Sequence, residues 1–72
     1  MSEKTKRELV WSYTLTMTYR QGDVVTSWGI AENLDVSEKT AREALHSMED
    51  DGFVQRDNLE GRVRYKSVPG GF

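Results

Sequence analysis

The sequence predicts an α+β domain with its helices first and a small antiparallel sheet last. Three observations carry that expectation. Residues 30–54 hold two apolar-periodic segments that meet at a tight turn around Asp35. The second segment stops at Gly52, where a residue lacking Cβ most easily takes the left-handed conformation that closes a helix. Beyond it, two runs of alternating apolar and polar residues flank DNLEG, a hairpin pattern.

The helical pair has a local rationale. Ile30, Ala31 and Leu34 form the apolar side of its first member, and the turn that follows needs one residue at positive φ, which Asp tolerates better than most. Ser37 is placed to cap the second member by accepting from the N–H of Lys39 or Thr40, with Val36 packing against Ala41 as a staple. Ala41, Ala44, Leu45 and Met48 recur at i, i+3, i+4 and i+7, so one stripe is buried. The opposite side, with Glu38, Lys39, Arg42, Glu43, His46 and Ser47, is left for solvent or a partner.

The stretch VSEKTAREALHSMEDDGFV resembles the second half of the GntR-type DNA-binding domain, a branch of the winged helix-turn-helix regulators of prokaryotes, archaea and their viruses. The shared pattern is V-S-x-x-T-h-R-E-A-L-x-x-L-x-x-x-G-h-V, with h apolar. Val36, Ser37, Thr40, Ala41, Arg42, Glu43, Ala44, Leu45, Gly52, Phe53 and Val54 match it, and Met48 takes the last Leu place. The resemblance implies a winged helix-turn-helix fold of three helices with a two-stranded wing and a short third strand. It also implies that Thr40 and Arg42 fall on positions that touch DNA. Glu38 departs from the family, which often carries Arg there.

Residues 2–19 hold the first helix that this fold requires. Their opening, with Ser2 as a cap and Glu3 early, suits one. Past Trp11 the local pattern is divided: Ser12, Thr14, Thr16 and Thr18 alternate with Tyr13, Leu15, Met17 and Tyr19 as in a strand. Leu9, Val10, Tyr13 and Met17 also make a helical stripe, with Trp11 and Leu15 on a second face suited to another copy of the chain. The resemblance favours helix, because tertiary context overrides propensity. RQGD, residues 20–23, is a turn by composition. Val24 and Val25 suit the short first strand, and Thr26 or Ser27 can cap the helix that carries Trp28 and Gly29. Gly29 costs that helix about 1 kcal/mol relative to Ala, so it marks either a close approach by another backbone or a weak spot.

Strands are expected over 53–56 and 62–68, with the wing loop at 57–61. The domain is expected to span 1–68, with 69–72 a mobile tail.

Composition narrows the function. The 72 residues suffice for one small domain, near the lower limit for folding on a hydrophobic core. No cysteine is present, so disulfides and thiolate metal sites are excluded. No apolar run approaches the ~18 residues of a membrane span, and the charged opening MSEKTKRE does not suit a signal peptide, so a cytoplasmic protein is expected. With a single histidine, a metal centre would need carboxylates almost alone, and no catalytic set or cofactor motif stands out. The net charge of -2 is unusual for a DNA binder, which normally carries a cationic surplus for phosphate. The surplus is local instead: Arg56, Arg62, Arg64 and Lys66 stand against only Asp57 and Glu60.

The candidate DNA-binding residues are Ser37, Glu38, Lys39, Thr40, Arg42, Glu43 and His46 on the second helix of the pair, residues 37–51, and Arg56, Arg62, Arg64 and Lys66 on the wing, residues 56–66. The major groove admits one α-helix, and residues near its start meet base edges. Lys39 or Arg42 can donate to guanine or phosphate, Thr40 can meet phosphate or a thymine methyl, Ser37 suits a phosphate, and Glu38 can accept from a cytosine amino group. A wing arginine can enter the minor groove. His46 is a marginal phosphate contact, and Lys4, Lys6 and Arg7 form a basic arm. Trp11, Tyr13, Trp28 and Phe53 are expected in the core. The expected function is a double-stranded DNA-binding transcription regulator, a homodimeric repressor without small-molecule ligand or membrane partner. The alternative is a winged helix that docks on a protein through the same helix face.

Overall fold

Ser37 opens the helix on which the core is built. Its hydroxyl accepts from the Thr40 N–H at 3.1 Å, satisfying one of the donors that a helix start leaves unpaired. That helix, α3 (Glu38–Asp50), buries Ala41, Ala44, Leu45 and Met48, the predicted stripe. It closes at Gly52, φ 81°, where the Phe53 N–H reaches the Met48 carbonyl at 2.8 Å and the Gly52 N–H reaches that of Glu49 at 3.1 Å. The structure, a computed structural model, describes residues 5–69, so Ser2, Glu3, Lys4 and residues 70–72 of the expected tail lie outside it.

Two helices precede α3 among the described residues: α1 (Lys6–Leu15), which continues into a π-helical turn, Thr16–Arg20, and α2 (Ser27–Leu34). Asp35 makes the turn from α2 to α3 at φ 54° and ψ 45°, the left-handed conformation expected of it. An antiparallel pair follows, β1 (Val54–Leu59) and β2 (Arg62–Ser67), in register from Val54 opposite Ser67 to Leu59 opposite Arg62. Val25 adds a single bridge to Tyr65 on the other edge of β2, a one-residue third strand. The predicted α+β arrangement is present, and its order and pairing are compatible with a winged helix.

Residues 11–19 are helical, but the buried stripe is not the predicted one. Val10, Thr14 and Thr18 face the interior at i, i+4 and i+8, while Leu9 is 39% exposed and Tyr13 and Met17 are half-buried. Thr18 offsets its burial by donating to the Thr14 carbonyl at 2.8 Å, and the Thr14 hydroxyl has no partner. The cap is Thr5, which accepts from the Glu8 N–H at 3.1 Å. Tyr19, at the end of the π-helical turn, donates to the Phe53 carbonyl at 2.6 Å and accepts from the Val68 N–H at 3.2 Å, tying the first helical segment to both ends of the hairpin. Val10, Ile30, Leu45, Met48 and Val54 are fully buried, and removing each from water stabilises the fold by about 1.5–3 kcal/mol.

The wing differs from the expected loop. Residues 57–59 are paired strand, and the turn is only Glu60 and Gly61, at φ 53° and 77°. Two consecutive positive φ values are what a two-residue type I′ hairpin needs, because its twist matches that of the strands. The result is a short arm, paired up to its turn. The first strand begins at Val54, with Phe53 left in the helix closure packing edge-on against Trp11 at 5.2 Å between ring centres.

Candidate nucleic-acid interface

The start of α2, the outer face of α3 and the hairpin enclose one groove of about 460 Å³. Glu38, Arg42 and His46 line it from α3, Arg56, Arg62, Val63 and Tyr65 from the hairpin, and Ser27 and Trp28 from α2. The i, i+4, i+8 spacing of 38, 42 and 46 sets those three side chains in a row along α3. Strand alternation places Arg56, Val63 and Tyr65 on the hairpin face turned toward α3, and Arg62, Arg64 and Lys66 on the other. Arg62, beside the turn, reaches the groove from the rim.

Ion pairs occupy three of the four guanidinium groups on α3 and the hairpin. Arg42 bonds to Glu38 one turn back, and Arg56 bonds to Glu49 of α3 at 3.1 Å. The hydrogen bond to Glu49, with help from Tyr65, raises the Arg56 pKa above its ordinary value. Arg64 bonds across the strands to Asp57 at 3.1 Å and is half-buried, its Nε lacking a partner. The Arg62 side chain makes no ion pair or hydrogen bond with another described residue. Tyr65, 3% exposed, has its hydroxyl pKa pushed up, chiefly by burial, with the Arg56 charge opposing.

The predicted site residues divide accordingly. Glu38, Lys39, Arg42, Glu43 and His46 are all exposed on α3, but Lys39 and Glu43 lie outside the groove. Ser37 is exposed, its oxygen engaged as the expected cap and also donating to the Thr40 hydroxyl at 2.9 Å, and Thr40 is half-buried. Lys66 is half-buried on the far hairpin face. Arg64 faces a second, adjoining recess of about 430 Å³, shared with Thr26, Trp28, Glu60 and Arg62.

Trp28 corrects the expectation of a core residue, being 42% exposed. The signal was present in the chain: two helical steps separate it from buried Ile30, which turns it about 200° away from that side chain. Gly29 is likewise explained by its own helix start, since a Cβ there would stand 2.9 Å from the capping Thr26 Oγ1, and among the described residues no backbone of another element comes within 4 Å of it.

Among the described residues no three histidine, cysteine or acidic side chains gather as metal ligands, and no helix is long and apolar enough to cross a membrane. Compared with known proteins, the chain matches no family model, no curated protein and no solved structure.

Proposed function

We propose that this domain binds double-stranded DNA in the cytoplasm and regulates transcription, as a repressor acting by occupancy. In this reading α3 enters the major groove by its first two turns, and the hairpin meets the adjacent backbone or minor groove. The observation that carries it is the common groove: Arg42 of the candidate reading helix and Arg56 and Arg62 of the hairpin line one continuous surface. The GntR-like pattern over residues 36–54 supports the same assignment. A homodimer fits as well. On the outer side of α1, Arg7, Glu8, Trp11, Ser12 and Leu15 line a shallow, largely apolar hollow of about 520 Å³, and two reading helices double the contacts of one.

Fluorescence anisotropy with duplexes selected from a random pool tests the proposal. If three arginines neutralise phosphates, log Kd rises with log salt at a slope of about 3 per domain. Arg62→Ala lowers that slope by about 1, since each lost phosphate contact retains one counterion. A flat salt response favours a second reading, a protein-docking module. The specific support for that reading is that Arg42 and Arg56 are already matched by Glu38 and Glu49, with Glu43 beside them on the same helix.

A further inference from the structure

Trp28 and Arg62 line both hollows, so together they form the ridge between the groove beside α3 and the recess beside Glu60. Trp28 is the most exposed large apolar side chain among the described residues, and its indole N–H has no hydrogen-bond partner there. Around it stand Arg42 and Arg56 on one side, Arg64 on the other, and Arg62 on both, against the carboxylates Glu38 and Glu60. An exposed indole set among guanidinium groups suits a ligand with a flat unsaturated face and an anionic linkage on each side. An unpaired nucleotide within a strand has that chemistry, because every base offers a π-face and is flanked by two phosphates.

We infer that Trp28 is a stacking platform for an unpaired base, with Arg62 and Arg64 taking the flanking phosphates. The inference goes beyond the duplex reading, since paired bases in B-form DNA present edges rather than faces to a protein. Arg62 is the cation best placed to engage first, having no carboxylate to leave. The capped start of α2 supports the platform: the Thr26 hydroxyl holds the Gly29 N–H at 3.0 Å, one residue from the indole.

The test is binding of fluorescein-labelled oligothymidylate and of a mixed-sequence duplex to the whole chain, its Trp28→Ala and Trp28→Phe variants, and Arg62→Ala, each checked for folding by circular dichroism. Trp28 is exposed, so neither substitution opens a core cavity. Oligothymidylate affinity is expected to fall about tenfold in Trp28→Ala and to be largely kept in Trp28→Phe, the pattern of lost stacking. Equal affinity of the wild type and Trp28→Ala for oligothymidylate overturns the inference, as does a polyglutamate peptide that competes as well as the oligonucleotide. Duplex binding without single-strand binding also overturns it while leaving the proposed function standing. Trp28-dependent single-strand binding without duplex binding has the opposite meaning for the two.

Discussion

The Thr26 hydroxyl accepts from the Gly29 N–H at 3.0 Å, and a Cβ on Gly29 would stand 2.9 Å from that same oxygen. The cap and the glycine are therefore one device. In an ordinary helix interior Gly→Ala stabilises by about 1 kcal/mol. Here Gly29→Ala is expected to bring no gain, because the added methyl displaces a cap of about the same value. In a Thr26→Ala background the same change should recover about 1 kcal/mol. Urea unfolding of the four proteins in this cycle measures the coupling, and a stabilising Gly29→Ala in the otherwise wild-type chain would refute it.

Glu60 sits at φ 53° in the hairpin turn, a conformation that Asn tolerates better than Glu. Glu60→Asn should raise stability by about 1 kcal/mol, seen as a higher melting temperature. It should also strengthen duplex binding, since it removes a carboxylate from the recess shared with Arg62 and Arg64.

Thr14 is fully buried and its hydroxyl has no partner, whereas the Thr18 hydroxyl donates to the Thr14 carbonyl. Near-isosteric replacement by valine should act in opposite directions at the two sites. Thr14→Val removes a desolvated donor and stabilises by about 1 kcal/mol, while Thr18→Val gives up a made hydrogen bond and destabilises by about 1 kcal/mol. Chemical denaturation of both variants decides it.

Burial raises the Tyr65 pKa above the ordinary 10.0. Below that value the folded and unfolded chains both hold the proton. As pH climbs past it the unfolded chain releases the proton first, so stability falls until the folded hydroxyl also ionises. Stability measured from about pH 9 to about pH 11 should decline, and Tyr65→Phe should flatten that decline. An unchanged slope in the variant would assign the alkaline loss to other groups.

Glu38 and Glu49 hold two of the groove arginines, so under the proposed function a phosphate would have to compete with a carboxylate at each. Exposed pairs of this kind are worth about 0–1 kcal/mol, which makes the competition winnable. Glu49→Gln should tighten duplex binding several-fold and steepen its salt dependence. Asp51→Asn, at the far end of α3 and outside the groove, should do markedly less.

The left-handed Asp35, the Ser37 cap, the stripe from Ala41 to Met48 and the Gly52 closure were all legible in the chain, because each depends on preferences acting within about one helical turn. The hairpin was legible too, though its turn was placed over five residues where Glu60 and Gly61 suffice. Tertiary structure alone decided which side of the first helix is buried. Local alternation there was compatible with a strand, and Val10, Thr14 and Thr18 became interior because α3 and the hairpin lie opposite them, with Tyr19 bonded to both hairpin ends. It also decided the site's chemistry. Sequence spacing put forward the α3 row and the arginines as candidates, but a guanidinium group is restrained or available according to what stands within about 4 Å of it, and Glu49 and Asp57 are set there by the packing of separate elements.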